Sequence, residues 1–542
     1  MTVAEFMAKE IRRRGVEYAF GIPGGEVATI LDALHQEGIE FVLTSHEAGA
    51  AFMADAYYRR TGKIAVVLAT LGPGATNAVS GAAQAYLDRS PILFVTGAVS
   101  TDLKDVYPHQ ILDHVEMFRP VTKWSQEISA DNVGGALHEA FAAMQSFAPG
   151  PAHIDLPVDV ALQIVTGGLT PNEVGSPGAD DKSATLRQIV AQVDSSRRPV
   201  FIVGLEGADK KTRDILRTVV NTHKIPVLTT YKAKGVLEES HPLSLGAIGL
   251  SPSYDKIAVE YLRSADLVMA LGVDPVELRS DWLAVWSSLQ PIGVGQDCRR
   301  FPGFPFSVTW SGHPGDFLEG LNAVATSPHR STPDASLERL RAQHQERWHA
   351  ADERTATLRA GILAPHHILR VINEQCSGAI VTIDTGAMRI AANHLIHASH
   401  PNQILQSNGL GTMGYALPAA IGAQIAEPDA RVVALTGDAG LLMLMGELST
   451  GAARRLPIVV IVFVDQSLSL IDLKQSRMHY HHVGVDVFAP NFAGIAEQFG
   501  GVGFISGSVE EFRQQLEMAL STRDRLTIIH VPVDPAAYDA LM

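Results

Sequence analysis

Short apolar runs recur along the whole chain with helix-length segments between them, and this rhythm limits the fold more than any other feature. Tyr18-Ala19-Phe20, Ile64 to Ala69, Ile92 to Val95 and Leu456 to Val464 are of strand length and almost wholly apolar. Such runs belong to strands covered on both faces, as in parallel sheets crossed by helices. The expected class is α/β. At 542 residues the chain exceeds what one hydrophobic core sustains, which points to about three domains. Thr166 to Ala184 and Thr326 to Ala335 break the rhythm with Gly, Pro and charge and read as linkers. Three doubly wound parallel-sheet domains are therefore expected, over residues 1–165, 185–325 and 360–542.

The outer two read as distant copies of one unit. Each ends in an apolar strand that runs into Pro-Val-Asp, Ile154-Asp155-Leu156-Pro157-Val158-Asp159 in one and Ile529-His530-Val531-Pro532-Val533-Asp534 in the other. The middle segment has strands at Pro199 to Gly204 and Ala265 to Gly272. It reads as a nucleotide-binding sheet without its glycine fingerprint.

Charge and cysteines restrict the partners. A formal charge of −15 repels a phosphate backbone, so no nucleic-acid partner is expected. Cys298 and Cys376 lie far apart without a CxxC partner, which supports neither a disulfide framework nor a zinc site and fits a reducing cytoplasm. No apolar stretch approaches the roughly 18 residues of a membrane span, and Lys9, Glu10 and Arg12 precede any signal-length apolar run. A cytoplasmic protein without a membrane partner is expected.

The segment richest in chemistry runs from Val432 to Leu470: an apolar strand, Gly437-Asp438-Ala439-Gly440, a helix-length stretch, Pro457, a second apolar strand, then Asp465-Gln466-Ser467. Glycines after a strand let backbone N–H groups and a helix N-terminus approach phosphate. Two aspartates ending neighbouring strands can meet beyond the sheet's carboxyl edge, where α/β ligands bind, as oxygen ligands for Mg²⁺. Taken alone, Gly437 to Gly440 also fits an ordinary capped strand-to-helix turn.

The 27-residue step from Asp438 to Asp465 equals that of the thiamine-diphosphate motif, which opens Gly-Asp-Gly and closes on Asn-Asn. On this segment and on Thr44-Ser45-His46-Glu47-Ala48-Gly49-Ala50, the chain resembles the acetolactate synthase branch of the thiamine-diphosphate decarboxylase and carboligase superfamily, over essentially its whole length. The resemblance implies that Glu47 contacts N1′ of the aminopyrimidine. Pro23, Gly24 and Asn77, in the turns Gly21 to Gly25 and Leu71 to Asn77, would form the pyrimidine pocket. Thr385, Gly386, Ala387 and Met388 would line the diphosphate, the Gly411 carbonyl would accept from the 4′-amino group, and Met413 would hold the cofactor bent. Gly437, Asp438, Ala439 and Gly440 would carry diphosphate and metal with Asp465, the Ser467 carbonyl and the adjacent Leu468. It also implies a site completed at the interface of a homodimer or dimer of dimers, since Glu47 of one subunit meets Asp438 of another.

The reaction implied is decarboxylation of a small 2-oxo acid followed by carboligation to an acceptor. Gln110 followed nine and thirteen positions later by Arg119 and Lys123 matches the acetolactate synthase spacing, so Gln110 and Lys123 are candidate catalytic residues. His109 and Lys474 are candidates too, standing where the branch carries an aromatic residue and a Trp. Ala439, Val464 and Asp465 likewise depart from the motif. Simple decarboxylation, 2-hydroxyacyl lyase chemistry and a C–N-forming reaction like that of carboxyethylarginine synthase remain alternatives, the last resting on His109 to Asp113 and Thr229 to Gly235. A catalytically silent regulatory homologue is the least favoured. FAD is expected to be absent, because Gly272-Val273-Asp274-Pro275-Val276-Glu277 lacks the Arg-Phe-Asp-Asp pattern of the flavin site.

Overall fold

The structure is a computed structural model that describes residues 1–104, 106–167, 182–296, 301–326, 335–356 and 358–541. Most of both linker stretches and Cys298 lie outside the described residues. Each apolar run of the sequence becomes a strand. The first sheet holds β1 (Tyr18–Gly21), β2 (Glu40–Leu43), β3 (Ala65–Ala69), β4 (Ile92–Ala98), β5 (Trp124–Glu127) and β6 (Ala152–Pro157), in the order β2-β1-β3-β4-β6-β5. Next come β7 (Pro199–Val203), β8 (Val227–Thr230), β9 (Ser244–Ile248), β10 (Leu267–Leu271), β11 (Ile292–Gly295) and β12 (Thr309–Ser311), ordered β12-β11-β10-β7-β8-β9. The third sheet holds β13 (Ile380–Ile383), β14 (Ile404–Gln406), β15 (Val432–Gly437), β16 (Ile458–Val464), β17 (Val502–Ile505) and β18 (Thr527–Pro532), ordered β14-β13-β15-β16-β18-β17. All three sheets are parallel. Strands such as β3 and β16 are buried along their full length, because helices cover both faces.

The first and third sheets share one strand order. Their Pro-Val-Asp ends coincide as well: Pro157 of β6 sits opposite Ala98, and Pro532 of β18 opposite Val464, the final register position in each case. The central sheet follows the order of dinucleotide-binding folds, as its two apolar strands suggested.

The outer domains are joined through a common core. The helix Glu47–Thr61, buried from Glu47 to Tyr57, packs on the helix Ala416–Ala426, buried from Ala416 to Ile425. Small residues allow this approach, since a Cβ on Gly422 would collide with the backbone of Met53. Phe20, Phe52, Tyr57, Tyr415, Ile421 and Val460 belong to one apolar cluster, whereas the central domain keeps its own around Phe201, Leu271, Trp286 and Phe317. Asp88 ties all three domains. Its carboxylate accepts from the backbone of Asn408 and Gly409 at 3.2 and 2.7 Å and pairs with the buried Lys232 ammonium at 2.8 Å. No helix among the described residues is long and apolar enough to cross a membrane.

Candidate active site

Most residues singled out by sequence gather at the carboxyl edges of the two outer sheets, where helix N-termini and strand ends converge, whereas Lys123 directly precedes β5, at the opposite edge of the first sheet. At the first edge, His46 caps the helix Glu47–Thr61 by accepting from the Ala48 N–H through Nδ1 at 3.1 Å, which makes Glu47 the first helical residue. Glu47 is buried, and its Oε2 accepts from Asn77 Nδ2 at 3.0 Å. Asn77 rides on the helix Pro73–Leu87, which follows the Gly72 turn. Gly72 adopts φ +60, and a Cβ there would lie 3.0 Å from Gln110, so Gln110 is packed directly on that turn. Gly24 lies close to Thr70, whose hydroxyl donates to Glu26 at 2.7 Å; Pro23 beside it is exposed.

At the third edge, β15 runs into the helix Asp438–Leu444. Asp438 accepts from its neighbour Ala439 N–H and, through Oδ2, from the Gln466 N–H, both at 2.7 Å. Asp465, ending β16, accepts from Ser467 N–H at 3.1 Å and from the Ser469 hydroxyl at 2.6 Å. The two carboxylates are close enough to repel, and burial raises the pKa of each, that of Asp465 to about 6. Among the described residues, no Lys or Arg forms an ion pair with either one. Two desolvated carboxylates without a cation suit a divalent ion, which hard oxygen ligands hold best. Buried hydroxyls of Thr385 and Ser467 have no hydrogen-bond partner among the described residues. Such orphans are costly unless a ligand satisfies them, and they stand at positions expected to line the diphosphate. A diphosphate bridged by Mg²⁺ therefore fits this donor set.

Other assignments change meaning in three dimensions. Gly440 is also required by Asp384, since a Cβ there would collide with the Asp384 carboxylate. Asp384 is buried and pushed up to about 6 by desolvation; it accepts from Thr436 Oγ1 at 2.9 Å and from the N–H groups of Thr385, Gly414 and Tyr415 at 2.9, 3.1 and 3.3 Å. It thus fixes the loops bearing Gly386, Ala387, Met388, Gly411 and Met413. The Lys123 ammonium donates to the Ser146 and Phe147 carbonyls at 2.9 and 3.1 Å, where the helix Val133–Gln145 ends. His109 is exposed beside Tyr107, with ring centroids 5.9 Å apart, and Lys474 is exposed on the helix Ser469–Arg477.

Glu447 was not foreseen. Fully buried, it accepts from the Ser45 N–H at 3.2 Å and the His46 N–H at 3.0 Å, capping the Glu47 helix from the third domain. The same segment makes two further bonds to the first edge, the Ser45 hydroxyl donating to the Gly446 carbonyl at 2.7 Å and the Thr450 hydroxyl to the Leu43 carbonyl at 3.2 Å; among the described residues, no hydrogen bond or ion pair joins Glu47 to Asp438.

Family models agree with this layout. The thiamine pyrophosphate enzyme N-terminal TPP binding domain matches residues 1–117, the central domain 186–289 and the C-terminal TPP binding domain 384–531. The chain belongs to the thiamine pyrophosphate enzymes. Within that family it is acetolactate-synthase-like. It is 30% identical to a probable acetolactate synthase large subunit of Methanocaldococcus jannaschii, over 99% of this chain and 92% of the relative. Identity is 30% with the isozyme 2 large subunit of Escherichia coli, over 98% and 96%, and 31% with the large subunit of Porphyra purpurea, over 94% and 88%. The two edges belong to the two domains that match TPP binding domains.

Proposed function

We propose that this thiamine pyrophosphate enzyme decarboxylates a small, pyruvate-like 2-oxo acid and ligates the remaining fragment to an acceptor, with Mg²⁺ held by Asp438, Asp465 and the Ser467 carbonyl. The observation that carries the reading is the desolvated Asp438 and Asp465 pair with the orphaned Thr385 and Ser467 hydroxyls beside it. When bound, thiamine diphosphate supplies the electron sink for loss of CO₂ and the carbon nucleophile for ligation. Glu47 has one oxygen committed to Asn77, leaving the other to share a proton at the pyrimidine N1′. Gln110, on the Gly72 turn, faces the substrate, and Lys474 supports an anionic acceptor.

Apolar side chains flank both edges: Met443 is 56% exposed, Val106 76% and Phe488 86%. Surface of this kind marks an interaction face; a second copy of the chain covers it in our reading, as a homodimer or a dimer of dimers. FAD is not part of the proposal. A cavity of about 720 Å³ opens at the carboxyl ends of β7, β10 and β11; among the groups lining it, Glu206 is pushed up to about 7 by burial and Asp274 pairs with Arg89 at 2.6 Å. The test is incubation with thiamine diphosphate, Mg²⁺ and a panel of 2-oxo acids, with products identified by mass. A coupled product supports carboligation, and an aldehyde alone in the presence of every acceptor overturns it.

A further inference from the structure

The Pro-Val-Asp end of β6 carries two carboxylates for which the proposed reaction has no use. Asp155 is 4% exposed. Its Oδ1 accepts from the Thr96 hydroxyl at 2.6 Å and lies 3.0 Å from His114 Nδ1. On the far side of the imidazole, Nε2 accepts from the Gly72 N–H at 3.2 Å. These bonds fix the tautomer: an N–H at Nδ1 facing the carboxylate, a bare Nε2 facing the backbone. Gly72 is the turn on which Gln110 packs, and both residues adopt φ +60. Two residues on, a Cβ at Gly74 would lie 3.3 Å from Glu47 Oε1. The turn held by His114 therefore stands between the substrate loop and the activating carboxylate. Asp159, the second carboxylate, accepts from the backbone N–H and hydroxyl of Thr101 at 3.0 and 2.6 Å, where the same loop leaves β4.

The duplicated domain separates fold from function. In β18, the counterpart of β6, His530 occupies the Asp155 position and its Nδ1 is buried without a partner among the described residues. The strand thus forms without the carboxylate. We propose that Asp155, acting through His114, is a positioning residue that sets Gln110 relative to Glu47, and that Asp159 anchors the other end of the loop. This rests on the reading of Gln110 as facing substrate.

Asp155→Ala deletes the oxygen that Thr96 and His114 share, whereas in Asp155→Asn an amide oxygen at the Oδ1 position keeps both bonds. The expected result is a His114 ¹⁵N spectrum of the Nδ1–H tautomer in wild type, retained in Asp155→Asn. The KM for the 2-oxo acid should rise roughly tenfold in Asp155→Ala and stay near wild type in Asp155→Asn, while exchange of the C2 proton of bound thiamine diphosphate stays within about twofold of wild type in both. An unchanged KM in Asp155→Ala overturns the proposal, as does a wild-type spectrum of the Nε2–H tautomer. Should Asp155→Ala fail to fold, Thr101→Val at the exposed end raises the KM in the same direction, and an unchanged KM there is equally decisive. Wild-type protein that exchanges the C2 proton but turns over no 2-oxo acid refutes the reaction, whereas the tautomer readout still decides the clamp.

Discussion

Asp465 offers the sharpest quantitative test, because the structure gives it a carboxyl group pushed up to about 6 at a position expected to bind metal. A metal ligand must be deprotonated. The sign follows: this pKa is raised, so the group is ionised above about pH 6 and becomes protonated, losing the ion, as pH falls through that value. At pH 7 about 91% of Asp465 is ionised and at pH 5 about 9%, so Mg²⁺ affinity should fall about tenfold between them from this residue alone. Asp438, also raised, steepens the loss. The assay is titration calorimetry of Mg²⁺ with thiamine diphosphate present, repeated across this pH range for wild type and Asp465→Asn. The amide cannot titrate, so the variant should keep only the shallower dependence that Asp438 and the cofactor contribute. It should also bind Mg²⁺ more weakly at pH 8, having lost one negative charge. Parallel pH profiles for the two proteins would refute the reasoning.

Other outcomes follow from the same geometry. Glu47→Gln should bind thiamine diphosphate within a few-fold of wild type and slow exchange of its C2 proton by about 10²-fold or more, the scale of general acid–base catalysis; proton exchange by NMR checks this. Asp88→Ala leaves the buried Lys232 ammonium unpaired, which should cost about 3–5 kcal/mol and loosen all three domains, read as a lowered melting temperature with increased proteolysis. Gly422→Ala forces a methyl into the Met53 backbone and should destabilise by about 1–3 kcal/mol, visible in calorimetry without a change in cofactor affinity at lower temperature.

Much of the fold was legible because parallel strands are buried on both faces and so spell themselves as continuous apolar runs. Ile458–Val464 needed nothing else. The duplication was legible too, since Pro157 and Pro532 end equivalent strands. The candidate metal ligands stood out through their spacing, although nothing local distinguished Asp438 from a capped turn. Glu447 and Asp88 could not be read, because their bonds span 401 and 321 residues and have no sequence periodicity. Asp384 did carry a signal, an acid at a strand end just before Thr385 and Gly386, but its role is visible only where Gly440 presses against it. For Lys123, spacing suggested the active site, while the structure records bonds to a helix end.

The shared core of the outer domains bears on how this protein could be rebuilt. Because the helices Glu47–Thr61 and Ala416–Ala426 bury their small residues in each other, neither outer domain is a portable module; expressed alone, either would expose a bare apolar helix and aggregate. A chimera drawing one half from a relative would need both helix faces matched methyl for methyl. The central domain, with a core of its own, is the part that recombination could exchange, provided Lys232 travels with it.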